Sequence, residues 1–225
     1  HRSWRKVELL MSNHILGIDT SAGTSIALVK EGVVLSSRST PDTMRHAEII
    51  GSFINEVLTD AGVTSNDVTH VAAGMGPGPF TGLRVGIAAA DAFAFGSGAI
   101  LLPMNSHDAI ALEFLDTDPT NNVVVTTDAR RKEEYVSFYN GLDEQGCPVR
   151  DHGPAIQKPG EFDATESAYV QATEVPATWL GVLAERMLVA GRSFLPFEAL
   201  YLRSPDVTMS NGPKRVVQEM RGDKK

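Results

Sequence analysis

Residues 17–24 read Gly-Ile-Asp-Thr-Ser-Ala-Gly-Thr and stand between two apolar runs, Ile15–Asp19 and Ser25–Lys30, that are predicted to form strands. An Asp at the end of a strand, followed by small and hydroxyl-bearing residues, is typical of a phosphate or Mg²⁺ site. Small side chains let backbone N–H groups approach an anion, and the Asp can hold a metal-bound water. The hydroxyls can equally satisfy an ordinary tight turn. Taken alone, the segment favours the ordinary turn.

The N-terminal half of the chain alternates predicted strands and helices. A third strand over Val33–Ser39 is predicted to pair with the second across a tight turn at residues 30–32. Apolar residues then recur every three or four positions over Asp42–Ala61, which predicts a helix. The remaining predicted elements are the strand Val68–Gly74, the helix Leu83–Phe95 and the strand Ile100–Pro103.

The C-terminal half repeats these elements on a smaller scale. Its predicted elements are the helix Ser106–Leu115, the paired strands Val123–Thr127 and Glu134–Tyr139, the helix Thr178–Ala190 and a short edge strand Leu200–Arg203. The segment Gly141–Thr173 is polar and rich in turns, which predicts short strands at best. The order predicts an α/β protein with a mixed sheet in each of two lobes.

The predicted lobes cover residues 13–104 and a reduced 105–205, flanked by an extension over 1–12 and a mobile tail over 206–225. Met11 is interpreted as a plausible natural start. The tail carries five basic residues that could touch RNA, although a solvated tail is the simpler interpretation. These residues are Lys214, Arg215, Arg221, Lys224 and Lys225.

Composition indicates an ordinary globular protein of the cytoplasm. The 225 residues are 42% hydrophobic and 21% charged, and no apolar run reaches the length of a membrane span. The only cysteine, Cys147, excludes an intrachain disulfide. The net charge of −8 argues against direct binding of a nucleic-acid backbone, so any RNA contact is expected to pass through another chain.

The hairpin at residues 17–24 resembles the first phosphate hairpin of the actin and sugar-kinase superfamily. The resemblance implies a two-lobed actin-like (ASKHA, ribonuclease H-like) fold in which each lobe contributes one hairpin to an ATP clamp. Asp128 ends the equivalent strand of the second lobe, but basic side chains at 130–132 stand where glycines are expected. The adenosine pocket is reduced to Gly181. The resemblance therefore implies no resident cofactor and at most weak ATP binding, by Asp19, Thr20, Ser21 and Thr24.

The segment Gly74–Gly86 reads GMGPGPFTGLRVG and matches neither a Walker loop nor a dinucleotide fingerprint. Thr81 is predicted to cap the helix that follows. Gly82, Gly86 and Ala90 lie four residues apart, so a neighbouring backbone can approach this side of the helix closely. The pattern alone leaves open whether that neighbour is the chain's own sheet or a second chain.

Four segments together resemble the TsaB family, also called YeaZ: residues 18–21, 76–86, 128–130 and 201–203. The resemblance extends over about residues 13–205. Gly76, Pro77, Gly78, Phe80 and Thr81 form its structural loop. Pro79 is a departure, because members usually carry Ser at that place.

The resemblance implies a non-catalytic subunit that pairs with TsaD, which attaches a threonylcarbamoyl group to N6 of adenosine 37 in tRNA. A small ATPase, TsaE, joins the assembly, tRNA is reached only through the complex, and the isolated protein forms a homodimer. The implied partner interface lies on the helices Met44–Leu58 and Gly82–Phe95. Its residues are His46, Ile49, Ile50, Phe53, Gly82, Arg84, Val85, Gly86, Ala89, Ala90 and Phe93.

TsaD-type enzymes hold a metal with two histidines four residues apart on the first of these helices. In this chain Ile50, four residues after His46, stands where the second histidine would be. The sequence therefore predicts no metal site and no catalytic residue. His46 is expected at the helix surface or interface. Two alternative functions remain. An active ATP-dependent phosphotransferase or hydrolase would need the missing second-lobe glycines, and a glycoprotease-type metallopeptidase would need the missing histidine.

Overall fold

The structure is a computed structural model that describes residues 13–203. Its strands are β1 His14–Asp19, β2 Thr24–Lys30, β3 Val33–Thr40, β4 His70–Gly74, β5 Ile100–Met104, β6 Asn122–Asp128, β7 Glu134–Leu142, β8 Pro148–Gln157 and β9 Ala168–Ala172. Its helices are α1 His46–Asp60, α2 Phe80–Ser97, α3 Ser106–Leu115 and α4 Ala177–Val189. The predicted N-terminal extension and C-terminal tail lie outside the described residues.

The first sheet has the strand order β3-β2-β1-β4-β5. The β1–β2 and β2–β3 pairs are antiparallel hairpins, whereas β4 pairs with β1 and β5 with β4 in parallel. The β2–β3 turn places Glu31 and Gly32 at positive φ, as a two-residue hairpin turn requires. The parallel pairs need crossover connections, which α1 and α2 supply.

The second sheet has the order β8-β7-β6-β9 and is also mixed. β6–β7 and β7–β8 are antiparallel, and β9 joins β6 in parallel. The predicted pairing of β6 with β7 is confirmed, and the pairing extends to Asp128 opposite Glu134. The predicted α/β class with two mixed sheets is confirmed.

Four layers stack on one another. α1 and α2 cover the face of the first sheet that carries Leu16, Ile18 and Ile26. α3 and α4 fill the space between the two sheets, where one apolar core joins Ile15 of β1 to Val125 of β6. Because α4 packs on β1 and β2, the C-terminal half of the chain supports the first sheet directly. The lobe boundary near residue 104 stays a prediction.

Two predicted elements are wrong. β8 is a ten-residue strand within the segment expected to hold short strands at best. It is an edge strand with a polar, exposed side, so its backbone pairing with β7 forms it without an apolar run in the sequence. Leu200–Arg203 is not a strand, because Leu200 N–H donates one hydrogen bond to the Met75 carbonyl and no ladder follows.

Two predicted helix starts also move. α1 begins at His46 rather than Asp42, because the Asp42 carboxylate accepts a hydrogen bond from Met44 N–H and holds a local turn. α2 begins at Phe80, with Pro79 as its N-cap, so the predicted capping role of Thr81 is wrong. Pro79 has φ −62° and ψ 140°, an extended conformation that directs the chain into the helix.

None of the helices described between residues 13 and 203 has the length and apolar character to cross a membrane.

Candidate functional site

The Asp19 carboxylate lies at the centre of the first hairpin and is 1% exposed. Oδ1 accepts hydrogen bonds from the backbone N–H of Ser21 at 2.7 Å and its hydroxyl at 2.6 Å, and Oδ2 accepts one from the Ser106 hydroxyl at 2.6 Å. Burial raises the pKa of Asp19 above its ordinary value, and these hydrogen bonds oppose that rise. The carboxylate thus joins the hairpin to the start of α3.

The two threonines of the hairpin are also used by the protein itself. The Thr20 hydroxyl donates to the Gly82 carbonyl at 2.6 Å, and the Thr24 hydroxyl bonds His46 Nδ1 at 2.7 Å. Both threonine side chains are buried. Each of the four residues predicted to hold a nucleotide therefore has a protein partner, and nucleotide binding by them stays a prediction.

His46 was expected at the helix surface or interface, and the structure corrects its position. Its side chain is 6% exposed and faces inward, between Thr24 and the backbone of Gly82. Burial lowers the pKa of His46, and the negative charge of Asp42 opposes the change. Neutral imidazole bonded to a hydroxyl is a stable buried arrangement, so His46 positions α1 against the hairpin.

The small residues of α2 pack against the chain's own hairpin. A Cβ atom on Gly82 would stand 2.6 Å from the Thr20 carbonyl oxygen, and one on Gly86 would stand 2.2 Å from Thr20 Oγ1. Ala90 is fully buried on the same side of the helix. The alternative left open by the sequence is therefore resolved for the described chain: the close neighbour of these residues is its own first hairpin and sheet. Their predicted direct contact with a partner is corrected accordingly.

The remaining predicted interface residues divide by exposure. Ile50 is buried in the core against the first sheet. Five others are half-buried or exposed at the outer side of the two helices and could touch a second chain without a change in fold. These are Ile49, Phe53, Val85, Ala89 and Phe93, with the exposed Arg84 beside them.

The Gly/Pro loop before α2 is a packed structural element. Gly76 N–H donates to the Ser106 hydroxyl at 3.1 Å, and its carbonyl accepts from Ser106 N–H at 2.8 Å. A Cβ on Gly78 would stand 2.7 Å from Ser21 Cβ, so glycine allows the loop to lie against the hairpin. Gly76 has φ +101°, which an L-residue rarely adopts. The loop links the hairpin, α2 and α3.

A cleft of about 320 Å³ lies between the two hairpins. Ser21, Thr43 and Pro79 line one side, and Asp128 and Arg130 line the other. The Arg130 side chain reaches across to the Thr43 hydroxyl, with Nη2 and Oγ1 3.1 Å apart, and also pairs with Asp128. The Arg130 guanidinium therefore crosses the cleft between the two hairpins.

The second hairpin turn adopts a glycine-like backbone without glycine. Arg130, Arg131 and Lys132 have φ of 65°, 56° and 62°. Left-handed backbone costs an L-residue about 1–2 kcal/mol, so this turn is strained. Each of these residues adds a side chain to the turn, which keeps other groups farther from its backbone than glycine would.

Gly181, the one glycine predicted near an adenosine pocket, serves helix packing. A Cβ on it would stand 2.6 Å from Val29 Cγ2, so glycine lets α4 lie close to β2. Within residues 13–203, no group of three or more His, Cys, Asp and Glu side chains is arranged to hold a metal ion.

Sequence reasoning missed Ser106 but predicted a structural role for His107, and the two residues join the two halves of the molecule. Ser106 contacts Asp19 and the Gly76 backbone, while His107 is completely buried and bonds the hydroxyls of Ser137 and Thr127. Burial lowers the pKa of His107 to about 3, and the positive charge of Arg150 acts in the same direction. An Asn-Ser pair at the predicted start of α3 was the available signal, because Asn105 caps that helix.

Comparison with known proteins places the chain in a family. A family model described as TsaD: tRNA N6-adenosine threonylcarbamoyltransferase matches residues 34–172. Rv3421c of Mycobacterium tuberculosis is 35% identical over 205 residues, which are 85% of this chain and 92% of that protein. The tRNA threonylcarbamoyladenosine biosynthesis protein TsaB of Haemophilus influenzae is 35% identical over 124 residues, or 55% of this chain.

The match spans 52% of that TsaB protein, and the match to ML0378 of Mycobacterium leprae spans 58% of the relative. A crystal structure of a Pseudomonas aeruginosa protein similar to peptidase YeaZ superposes with a TM-score of 0.72 at 25% identity. It covers 85% of this chain and 100% of that one. The chain therefore belongs to the TsaB (YeaZ) family and has its two-lobed actin-like fold.

Proposed function

We propose that the chain is a non-catalytic subunit of the machinery that forms N6-threonylcarbamoyladenosine in tRNA, and that it binds a TsaD-like catalytic subunit. The relatives named TsaB support the pathway. The binding surface proposed is the outward face of α1 and α2. We define this face by its half-buried apolar seam and its exposed α2 stripe: Ile49, Phe53, Val85, Ala89 and Phe93 in the seam, and Arg84, Ala88, Ala92 and Phe95 in the stripe.

The chemistry of the outward face carries the proposal. Phe95 is 92% exposed and adds a large apolar side chain to the exposed stripe of α2, and a contiguous exposed apolar patch is typical of a binding surface. Ala88 and Ala92 are exposed one helical turn apart, so a partner helix can approach α2 closely there. The buried glycines of α2 fix the helix to its own hairpin, so the face is presented rigidly.

The first hairpin supports a non-catalytic role. A general acid, general base or metal ligand must reach a reacting group. Asp19 is buried and bonded to Ser21 and Ser106, and Asp128 is bonded to the backbone and side chain of Arg130. Because Asp19 is enclosed and Asp128 is paired with Arg130, we assign catalysis to the partner.

An ATP-dependent phosphotransferase or hydrolase is the second candidate, and the cleft of about 320 Å³ is the observation in its favour. The residues that line the cleft provide hydroxyls and one guanidinium. The turn at residues 130–132 carries side chains, however, where a phosphate-binding turn would need glycines. We therefore propose no resident cofactor and at most weak ATP binding outside the complex. A metallopeptidase is disfavoured because Ile50 is buried where a second histidine ligand would stand.

The other partners of the proposal follow from the same role. A TsaE-like ATPase would join the assembly, tRNA would be held by the complex, and a homodimer would use the outward face in the absence of the catalytic subunit. A cytoplasmic location fits these partners. The net charge of −8 agrees with tRNA contact through another chain.

A binding titration tests the proposed face. The full chain is titrated by calorimetry into the purified catalytic subunit of the same organism, as wild type and as Ala88→Arg. Ala88 is exposed, so the arginine is tolerated by the fold but intrudes into a close helix contact. We expect Ala88→Arg to weaken binding at least about 100-fold, the scale of an interface hot spot.

Val189→Arg is the matched control, because Val189 is exposed on α4, away from the proposed face. It should bind as wild type. Equal affinity of Ala88→Arg and wild type would remove the interface from this face, and absence of binding by the wild-type chain would defeat the proposed partnership.

A further inference from the structure

The segment after α4 returns across the first sheet and reaches the start of α2. Leu195 N–H donates to the Pro103 carbonyl at 3.0 Å, and Leu200 N–H donates to the Met75 carbonyl at 2.8 Å. Pro103 lies in β5, and Met75 directly follows β4. We call residues 194–203 the strap. Its final residue, Arg203, pairs with Glu133 beside the second hairpin.

The strap brings an aromatic ring to the first turn of α2. The Tyr201 and Phe80 rings have centroids 4.9 Å apart and are tilted by 39°. The Arg84 guanidinium carbon lies 3.8 Å from the centroid of the Phe80 ring, within cation–π range. We call Phe80, Arg84 and Tyr201 the aromatic corner. Tyr201 contacts Phe80, and Phe80 in turn holds the guanidinium of Arg84.

The corner and the strap expose a concentration of apolar side chains. Tyr201 is 42% exposed, Leu202 37% and Phe197 53%. Arg84 is exposed and forms no salt bridge with any residue between 13 and 203. Tyr, Phe and Arg are residue types enriched in protein interfaces, and Tyr and Arg recur among the hot spots.

The corner is continuous with the outward face. Phe80, Arg84, Ala88 and Ala92 follow one another at four-residue spacing along α2, and Phe95 completes the stripe. At 100° per residue, these positions fall within about 120° of the helix circumference. The stripe therefore runs the length of α2, with an aromatic residue at each end and the guanidinium of Arg84 near the first.

We propose that the aromatic corner is a second anchor for the TsaD-like subunit, and this inference rests on the proposed function. The partner's side would present apolar side chains to Tyr201 and Phe80 and a carboxylate to Arg84. Tyr201 acts partly as a positioning residue, because its contact with Phe80 steadies the ring over which Arg84 lies. Preorganisation of Phe80 and Arg84 lowers the entropy that binding must otherwise overcome.

The test is a set of calorimetric titrations of the full chain against the same purified catalytic subunit. Tyr201→Ala and Arg84→Ala should each weaken binding about 10- to 30-fold, which corresponds to loss of a peripheral anchor. Tyr201→Phe should stay within about threefold of wild type, because the ring rather than the hydroxyl makes the contact. The Tyr201→Ala/Arg84→Ala double variant should lose less than the product of the two single losses, since the residues act through one cluster.

Tyr169→Ala is the matched control, because Tyr169 is 47% exposed on β9 of the other sheet, and it should bind as wild type. Arg84→Ala removes an exposed side chain, so we expect it to fold normally. It therefore keeps the proposal testable even if Tyr201→Ala has a folding defect. Wild-type affinity of both Tyr201→Ala and Arg84→Ala would overturn the proposal. If these two bind normally while Ala88→Arg does not, only the corner is refuted and the proposed function stands. A loss of self-association without a loss of catalytic-subunit binding would assign the corner to a homodimer and would also overturn it.

Discussion

Gly86 of α2 lies directly against the side chain of Thr20, so closely that a Cβ atom on Gly86 would stand 2.2 Å from Thr20 Oγ1. Thr20 in turn donates its hydroxyl hydrogen to the Gly82 carbonyl. These two contacts hold α2, the helix that we propose faces a partner, against the first hairpin, which resembles a phosphate site. The motif residues of the hairpin therefore have a structural use that requires no ligand.

Substitution of Gly86 is expected to damage the fold rather than the interface. Gly86→Ala should lower the free energy of unfolding by about 1–3 kcal/mol or more, because the methyl group overlaps Thr20. Denaturant unfolding followed by circular dichroism measures the change.

Gly51→Ala provides the matched control for that measurement. Gly51 lies in α1 and has no atom within 4 Å of an added Cβ. It should gain about 0.5–1 kcal/mol from the lower backbone entropy of the unfolded chain. A stable Gly86→Ala variant that no longer binds the catalytic subunit would contradict the packing account.

The buried His107 predicts how stability depends on pH. Its pKa in the folded chain is lowered to about 3 from an ordinary 6.5, so the unfolded chain binds a proton that the folded chain refuses between these values. The contribution is complete above pH 6.5 and is lost as the pH falls toward 3. The slope from this one group approaches about 1.4 kcal/mol per pH unit.

The measurement compares wild type with His107→Gln by urea unfolding between pH 7 and pH 4. Glutamine retains polar atoms for Ser137 or Thr127 but does not titrate, so the difference between the two proteins isolates His107. We expect the stability of wild type to fall more steeply than that of His107→Gln as the pH is lowered. Parallel pH profiles would show that His107 is not responsible.

Nucleotide binding by the isolated chain is expected to be weak. Arg130 crosses the cleft to Thr43, and the strained turn keeps three side chains where phosphate would approach. Calorimetric titration with Mg²⁺ and ATP should give a dissociation constant no tighter than about 1 mM, equivalent to about −4 kcal/mol. Micromolar affinity would contradict the interpretation of the first hairpin as a packed structural unit.

Much of the fold follows from sequence patterns. Short apolar runs and a tight turn predicted β1, β2 and β3, and three- to four-residue apolar spacing predicted α1. The other three helices were also predicted close to their observed positions. β8 was not predicted because an edge strand can form by backbone pairing with β7 alone, and its sequence can therefore be polar. The two helix starts were displaced by local bonds at Asp42 and by the extended conformation of Pro79.

The candidate site shows what pattern alone leaves undetermined. Small residues at Gly82 and Gly86 predict a close backbone contact, but the same spacing serves a contact with Thr20 or with another chain. Likewise, His46 at the start of a helix has no feature that tells its inward bond to Thr24 from a surface position. Such choices depend on which elements meet in space, and only the three-dimensional arrangement decides them.

The central claim is that this chain supports catalysis by another subunit. A reconstituted assay with the purified catalytic subunit, its ATPase and unmodified tRNA measures formation of threonylcarbamoyladenosine with and without the chain. The account predicts that omission lowers the rate of product formation at least about 10-fold, which corresponds to an activation free energy higher by about 1.4 kcal/mol. Addition of wild type or Val189→Arg should restore it, whereas Ala88→Arg should not. Product formation that is unaffected by omission of the chain would contradict the account.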